Sequence, residues 1–356
     1  MSAPAAEHEG TAVPEGRVLL EVRGVEKRFP VKGGAFGKTT GQVRAVDGVD
    51  LDVHEGEVLA LVGESGCGKS TLGRLMLRLL EPDAGTVHFA GEDLLAAKGD
   101  RLRKLRGAMQ VVFQDPFGSL DPRATIGDSI QEGLRVQGVP AKERVDRVDA
   151  VLSLVGLEPY HARRYPHQFS GGQRQRVGIA RALAVQPTFL LADEPVSALD
   201  VSIQSQILNL LRDLQRRLSL TMVFVAHDLS VVEHLADRVA VMYLGRVVEL
   251  GTRDEVFTRP QHPYTKALLS AVPVADPERA SVRQRIVLAG DVPSPLNPPD
   301  GCPFHTRCPW RQATRCDSER PALREIRPGH LAACHWAEEL EQPGVAVGAA
   351  STRIRP

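Results

Sequence analysis

A glycine-rich stretch near the start of the chain, "GESGCGKS" from Gly63 to Ser70, has the residue types needed to bind a triphosphate. It matches the pattern G-x-x-x-x-G-K-[ST], follows an apolar run and precedes the helical sequence "STLGRLMLRLL". Glycines let the backbone curl with its N–H groups towards phosphate oxygens. Lys69 would contact the β- and γ-phosphates, Ser70 would ligate Mg²⁺, and the helix dipole would add to the attraction. The predicted nucleotide-binding residues are Gly63, Glu64, Ser65, Gly66, Cys67, Gly68, Lys69, Ser70 and Thr71.

Two adjacent acids end a second apolar run, "FLLADEP", from Phe189 to Pro195. Successive side chains of a strand point to opposite faces, so two neighbouring carboxylates at a strand end indicate two different tasks. Asp193 suits a ligand of Mg²⁺, and Glu194 suits a general base that polarises an attacking water. Together with the glycine-rich loop, the pair predicts hydrolysis of a bound nucleotide.

The elements that must position these residues alternate between apolar runs and amphipathic helices, which is typical of an α/β domain with a mainly parallel sheet. "VLALVG" (58–63), "FLLADEP" (189–195) and "TMVFVAH" (221–227) are continuously apolar and predict buried strands. Two sets of apolar residues have helical spacing. They are Leu72, Leu75, Met76 and Leu79 behind the loop, and Val145, Val148, Leu152 and Val155 in a predicted helical insert.

The charge balance and the distribution of apolar residues argue against nucleic-acid binding and against a membrane-spanning segment. Lys plus Arg (44) equals Asp plus Glu (44), so no excess basic charge favours a nucleic-acid partner. The N-terminal sequence is acidic and poor in apolar residues, and no long apolar stretch predicts a membrane span. We therefore expect a protein that stays in the cytoplasm.

The stretch "FSGGQRQR", from Phe169 to Arg176, narrows the class of nucleotide-binding protein. Ser170, Gly171, Gly172 and Gln173 open a predicted helix, where a hydroxyl and free N–H groups suit an anion. The stretch resembles the signature of the ATP-binding cassette (ABC) family, usually LSGGQ, with Phe169 in place of Leu. In that family it faces the γ-phosphate held by the other subunit, so the resemblance implies that two cassettes must meet.

Further positions match the family in order along the chain. Gln114 in "VVFQDP" resembles the Q-loop residue that touches Mg²⁺ and the attacking water, and Asp200 in "SALD" resembles the D-loop residue at the dimer interface. His227 resembles the switch histidine that contacts the γ-phosphate. Phe29 falls where the family places an aromatic ring against adenine, with a packing role as the alternative.

The resemblance implies a P-loop NTPase (RecA-like) core with an antiparallel β subdomain and an inserted α-helical subdomain at about 116–170. The implied catalytic residues are Glu194, His227, Gln114 and Lys69, and the implied Mg²⁺ ligands are Ser70, Gln114 and Asp193. The cofactors would be ATP and Mg²⁺.

The composition changes near residue 255, after which 14 of the 25 prolines lie. We expect a disordered tail at 1–16, an ATP-binding domain at 17–255, a Pro/Cys-rich extension at 256–342 and a second tail at 343–356. "RPQHPYTKALLSAVP", from Arg259 to Pro273, resembles the C-terminal extension of ATPase subunits that serve oligopeptide and dipeptide importers.

This second resemblance implies an ATPase subunit that energises peptide import from the cytoplasmic face of the membrane, as a peripheral protein. Such importers carry two different ATPases, and "EPVSALDVSIQ" (194–204) and "YLGRVVELG" (243–251) resemble the F-type subunit more than the D-type. The implied partners are a second ABC ATPase, identical or different, two transmembrane permeases and an extracytoplasmic solute-binding protein, with no nucleic acid. Import of another small solute, such as nickel or glutathione, and a soluble non-transport ABC ATPase are the alternatives.

Four of the five cysteines, Cys302, Cys308, Cys316 and Cys334, follow the spacing C-x5-C-x7-C-x17-C. In the cytoplasm, four clustered cysteines are better explained as metal ligands than as disulfides. The close C-x2-C or C-x4-C pair that is usual in structural zinc sites does not occur among them. Four thiolates could hold zinc, with His305 or His335 as substitutes, or an iron–sulfur cluster, or they could be free. The family resemblance implies a [4Fe–4S] cluster.

Overall fold

Continuous apolar runs form the centre of the fold in the computed structural model, which describes residues 16–33, 38–115, 118, 120–272 and 286–341. In these ranges the strands are β1 (Val18–Gly33), β2 (Lys38–His54), β3 (Val58–Val62), β4 (Ala84–Phe89), β5 (Glu92–Asp93), β6 (Met109–Val112), β7 (Phe189–Asp193), β8 (Thr221–Ala226), β9 (Arg238–Tyr243), β10 (Arg246–Thr252), β11 (Arg324–Arg327) and β12 (His330–Ala332).

The α-helices of the same ranges are α1 (Lys69–Met76), α2 (Gly99–Ala108), α3 (Ile126–Val136), α4 (Ala141–Leu154), α5 (Gly171–Ala184), α6 (Val201–Leu218), α7 (Leu229–Glu233), α8 (Arg253–Thr258) and α9 (Pro263–Ala271). None of these helices is both long and apolar enough to cross a membrane. The predicted tail 343–356, and all of the tail 1–16 except its last residue, lie outside the described residues.

An eight-stranded sheet has the order β11-β12-β10-β9-β3-β8-β7-β6. The five strands from β9 to β6 run parallel to one another, and β10 pairs antiparallel with β9. Every residue of β3, β7 and β8 is buried, which explains why their sequences are continuously apolar. The predicted α/β fold with a mainly parallel sheet is confirmed.

A second, antiparallel sheet has the order β2-β1-β4-β5. Its apolar side chains, such as Leu20 and Val22, share one buried cluster with Leu59 and Leu61 of β3 and with Leu72 of α1. Helix α1 thus lies in the layer between the two sheets. This arrangement holds the glycine-rich loop, which precedes α1, against both layers.

Helices α3, α4 and α5 pack against one another; α3 and α4 lie within the helical insert expected at about 116–170, and α5 follows it. Two details of the predicted helices are wrong. Val145 is 53% exposed, because α4 buries Val148, Val151 and Leu152 instead. Leu79 is 46% exposed, because α1 already ends at Met76 and the chain turns away at Arg78, where φ is 49°.

The extension joins the central sheet through a buried carboxylate. Strand β12 pairs antiparallel with β10, opposite Glu249 and Leu250. Glu249 is fully buried and accepts hydrogen bonds from the backbone N–H groups of Gln261 (2.7 Å) and His262 (2.9 Å) and from His330 Nε2 (2.8 Å). Burial lowers the pKa of His262 to about 4, and its Nδ1 accepts from the Tyr264 N–H, so this imidazole is neutral at pH 7.

Glu249→Ala should lower the free energy of unfolding by about 3 kcal/mol, because it leaves three buried donors without an acceptor. Glu249→Gln keeps one accepting oxygen and should cost clearly less. Denaturant unfolding of the full chain measures both, and equal stability of Glu249→Ala and the unmodified protein would contradict the role of this carboxylate.

Candidate nucleotide site

Four neighbouring parallel strands end at the same edge of the large sheet, and each is followed by a predicted site residue. β3 leads into the glycine-rich loop, β8 into His227, β7 ends in Asp193 before Glu194, and β6 is followed two residues later by Gln114. The carboxyl edge of parallel strands is where open α/β sheets bind ligands. The topology therefore collects residues that are spread over more than 100 positions of the sequence.

The glycine-rich loop has a backbone that only glycine can form. Gly63 and Gly68 have φ values of 150° and 106°. A Cβ would lie 2.2 Å from the Met242 carbonyl oxygen at Gly63 and 2.0 Å from that of Ala45 at Gly68. Gly68 caps α1 without a side-chain hydrogen bond, so the first N–H groups of α1 are available to an anion.

Lys69 is buried within this loop. Its Nζ donates hydrogen bonds to the carbonyl oxygens of Gly63 (2.8 Å) and Glu64 (3.1 Å). An ammonium held by two carbonyl oxygens of its own loop can exchange them for phosphate oxygens through a small side-chain movement. Burial raises the pKa of the neighbouring Cys67 thiol, with a further contribution from Glu64, so Cys67 remains a neutral, space-filling residue.

The hydroxyl of Ser70 donates a 2.6 Å hydrogen bond to Oδ1 of Asp193. Asp193 is buried, and the guanidinium of Arg74 lies 3.8 Å from its Oδ2. A hydroxyl and a carboxylate in contact are hard oxygen donors of the kind that Mg²⁺ prefers beside a nucleotide. The residues present therefore fit the cation that the sequence implied.

Glu194 and His227 lie together beside this pair. Nδ1 of His227 is 3.6 Å from Oε2 of Glu194, and both residues line a cavity of about 40 Å³, which is large enough for a water molecule. Glu194 has φ 47°, an unfavourable value for a non-glycine residue. Its N–H still bonds to the Val225 carbonyl of β8. The backbone thus turns sharply at the residue whose carboxylate faces the cavity.

Gln114 and Phe29 lie at the periphery. Gln114 is exposed after the end of β6. Phe29, on β1 opposite Val43, is 37% exposed, and the ammonium of Lys27 lies 5.8 Å from its ring centre. An exposed ring on the antiparallel sheet is available for stacking against a base.

The signature residues belong to the helical subdomain. Ser170 is exposed and caps α5: its Oγ accepts from the Gln173 N–H (3.3 Å), while the Gln173 side chain accepts from the Ser170 N–H (3.0 Å). Gly172 touches the start of α6, where a Cβ would lie 2.5 Å from Ile203. Asp200, exposed, begins α6 beside this contact. The exposed residues Ser170 and Asp200 thus lie at the starts of two helices that meet at the buried Gly172.

The structure also brings two residues to the loop that the sequence analysis missed. Arg307 donates two hydrogen bonds to the Glu64 carboxylate, of 2.8 Å and 3.1 Å, and the Tyr264 hydroxyl accepts the Glu64 N–H at 2.8 Å. These partners are 243 and 200 positions away in the chain, so no local pattern could reveal them. The cysteine-rich segment is remote from the loop in sequence but adjacent to it in space.

Cys302, Cys308, Cys316 and Cys334 line one small cavity of about 20 Å³, together with Trp310 and Trp336. All four are free thiols. Burial raises the pKa of Cys302 to about 11 and those of Cys308 and Cys334 to about 12, so without a metal these thiols are protonated at neutral pH. Within the described part of the chain, no group of three or more His, Cys, Asp or Glu is arranged to hold a metal ion.

Comparisons with known proteins agree with this geometry. The family described as "ABC transporter" matches residues 46–197, and "Oligopeptide/dipeptide transporter, C-terminal region" matches residues 248–316. A candidate peptide import ATP-binding protein of Brucella ovis is 53% identical over 89% of this chain and 97% of its own length. The oligopeptide transport ATP-binding protein AppF of Bacillus subtilis is 51% identical over the same shares.

Solved structures with the same fold include cbiO1 of Clostridium perfringens, part of the ABC transporter complex cbiONQ. It has a TM-score of 0.58 and 31% identity, and the match covers 68% of this chain and 91% of that one. The ATP-binding cassette MJ0796, in a dimeric post-hydrolysis state with ADP and Pi, has the same TM-score and identity. That match covers 66% of this chain and 99% of the MJ0796 chain. The expected P-loop NTPase core is confirmed.

Glu194→Gln should leave nucleotide binding intact and lower the rate of ATP hydrolysis roughly a hundredfold or more, because an amide cannot take the proton of the attacking water. Phosphate release by the purified protein measures the rate. Glu143→Gln, an exposed acid of α4, is the matched control and should hydrolyse ATP normally. Unchanged turnover in Glu194→Gln would remove Glu194 from this role.

Proposed function

Since the chain belongs to the ATP-binding proteins of ABC transporters and carries the C-terminal region of the oligopeptide/dipeptide group, we propose that it hydrolyses ATP to energise the import of di- or oligopeptides. The observation that carries the proposal is the strand edge at which the glycine-rich loop, Asp193, Glu194, His227 and Gln114 meet. Relatives named for peptide import support the cargo, with nickel or glutathione as the alternative solutes.

In the proposed reaction, ATP binds with its phosphates against the N–H groups of the loop and the start of α1. Lys69 exchanges the carbonyl oxygens of Gly63 and Glu64 for phosphate oxygens. Ser70 and Asp193 would hold Mg²⁺, which would neutralise charge on the phosphates. Glu194 takes a proton from the attacking water, and His227, 3.6 Å away, orients that carboxylate and the γ-phosphate. Gln114 contacts the attacking water, and the ring of Phe29 stacks against the adenine.

Each site is completed by a second cassette. Ser170 is exposed at the start of α5, where Gly171 and Gln173 are half-buried and Gly172 is buried, and the exposed Asp200 begins α6 next to it. A helix N-terminus attracts the γ-phosphate of the facing subunit. ATP therefore closes the dimer, and hydrolysis lets it reopen. The second cassette is either a copy of this chain or a related ATPase.

A groove of about 690 Å³ between α2, β6 and the helical subdomain is the proposed contact with the permeases. Its lining combines apolar residues, among them Leu102, Phe113 and Val136, with the charged Arg103, Arg106, Glu132 and Arg181, and Val136 is 61% exposed. Phe113 directly precedes Gln114 in the chain. A partner segment that contacts Phe113 would therefore move with Gln114, at the carboxyl edge of the sheet where the nucleotide binds. The protein then works as a peripheral subunit on the cytoplasmic face of the membrane, with an extracytoplasmic protein delivering the solute.

The proposed organisation keeps an ATP-binding domain at 17–255, with the helical subdomain at about 116–170, and an extension at 256–342. For the four thiols of that extension a [4Fe–4S] cluster is the proposed ligand. All four thiols line the same small space, so together they supply the four-thiolate donor set of such a cluster. The described residues hold no group arranged for a metal ion, which speaks against zinc more than against a cluster, whose several irons spread their thiolates apart. Such a cluster would pin a segment that has little core of its own.

Import is tested with the complex of this protein, its permeases and its solute-binding protein in liposomes, where ATP-dependent uptake of labelled peptides is expected. Val136→Asp should lower recovery of the permeases with the ATPase about tenfold or more, because it replaces an exposed apolar contact of the groove with a hydrated carboxylate. Val145→Asp, equally exposed on the same subdomain but outside the groove, is the control and should assemble normally. Normal assembly of Val136→Asp would contradict the proposed contact, and uptake of nickel or glutathione in place of peptides would contradict the proposed cargo.

The cluster is tested by iron and sulfide analysis of anaerobically purified protein. Brown protein with about four irons per chain is expected. Cys308→Ser should lose most of this iron, whereas Cys67→Ser should retain it, because Cys67 lies in the glycine-rich loop. Colourless protein without iron would refute the cluster, and zinc in its place would establish the alternative.

A further inference from the structure

Glu64, the second residue of the glycine-rich loop, is held at two points by the C-terminal segment. Its backbone N–H is bound by the hydroxyl of Tyr264, which is fully buried. Its carboxylate is bound by both Nη atoms of Arg307 in a bidentate pair. The Arg307 side chain is only 9% exposed and the Glu64 side chain 27%, so the pair is largely shielded from solvent.

The two partners of Glu64 are themselves fixed. His262 caps α9 by accepting the Tyr264 N–H, and the rings of Tyr243, Tyr264 and Phe304 meet with centres 4.8 to 5.5 Å apart. The Arg307 N–H bonds to the Phe304 carbonyl at 3.0 Å. Arg307 therefore projects from a packed turn and not from a free loop, which makes its guanidinium a defined contact for Glu64.

The charge of Glu64 explains why such a contact matters for a nucleotide. Glu64 follows Gly63, and its own carbonyl oxygen binds Lys69, so its carboxylate belongs to the loop that must accept a triphosphate. An unpaired carboxylate at this position would repel the phosphates, whereas one paired with a guanidinium is neutralised. The bidentate geometry also fixes the side chain in one orientation.

We propose that Arg307 is a positioning residue for ATP binding, which acts by neutralising and holding Glu64. The C-terminal segment thereby sets the affinity of the glycine-rich loop for ATP. The proposal rests on the function proposed above, because it takes this loop to be the ATP-binding site. It assigns the segment around Cys302 and Cys308 a direct part in nucleotide binding, in addition to any role of the thiols.

The test measures the affinity of the full chain for a non-hydrolysable ATP analogue by calorimetry. Arg307→Ala should weaken binding roughly tenfold, because Glu64 is left charged and unpaired. Adding Glu64→Gln to Arg307→Ala should restore binding to within about threefold of the unmodified protein, since it removes the repelling charge. A merely structural contact would give the opposite pattern, with the double variant as weak as Arg307→Ala or weaker.

Two further variants make the result decisive. Arg311→Ala is the matched control, because Arg311 lies in the same segment but pairs with Asp317, and it should bind the analogue normally. Arg307→Lys keeps the charge but loses the bidentate geometry, so its affinity should lie between those of Arg307→Ala and the unmodified protein. If Arg307→Ala does not fold, Arg307→Gln takes its place: weaker binding that the addition of Glu64→Gln restores supports the proposal, and unchanged binding in Arg307→Gln overturns it.

Lys69→Ala separates this proposal from the one on which it rests. Loss of binding in Lys69→Ala with normal binding in Arg307→Ala would overturn the role of Arg307 and leave the ATP site intact. Normal binding in Lys69→Ala would overturn the site itself. We expect weaker binding of the analogue in both Lys69→Ala and Arg307→Ala, and recovery of binding when Glu64→Gln is added to Arg307→Ala.

Discussion

The parallel pairing of β3, β8, β7 and β6 is the constraint on which the site depends. Parallel strands share a carboxyl edge, so a loop, two acids, a histidine and a glutamine from distant parts of the chain are delivered to one place. The 2.6 Å hydrogen bond from Ser70 to Asp193 closes this arrangement, because it joins the first turn of α1 to the end of β7. The chemistry we propose follows from this edge: one carboxylate with a hydroxyl would hold Mg²⁺, and a second carboxylate beside a water-sized cavity would act on the attacking water.

The extension is joined to this core at two glutamates with different surroundings. Glu249 is fully buried and binds three donors that bring β12 to the sheet and start α9. Glu64 is partly exposed and binds Tyr264 and Arg307 at the loop itself. The contacts of Glu249 hold the extension against the sheet. Through the contacts of Glu64, we propose, the extension affects nucleotide binding. His262 connects them, since its N–H bonds Glu249 and its ring caps the helix that carries Tyr264.

Much of the nucleotide edge could be predicted from sequence because its signals are local. The glycines of the loop and the continuous apolar strands are imposed by backbone conformation and by burial on both faces, and both leave a mark within a few residues. The contact of Arg307 with Glu64 could not be predicted, since it joins residues 243 positions apart. The strands β11 and β12 are short and partly polar, so their pairing depends on the sheet edge they meet and not on their own pattern. Leu79 and Val145 show the same limit, because helical spacing does not reveal where a helix ends or which face it buries.

The most direct test of the account is a structure of the Glu194→Gln protein with ATP and Mg²⁺. We predict that the phosphates lie against the loop from Gly63 to Ser70, with Lys69 transferred from its two carbonyl oxygens to phosphate oxygens. Mg²⁺ should lie between the phosphates and the oxygens of Ser70 and Asp193, with Arg307 still paired to Glu64. Phosphates bound away from this loop, or Mg²⁺ bound without Ser70 and Asp193, would contradict the claim that the carboxyl edge of the sheet is the site of ATP hydrolysis.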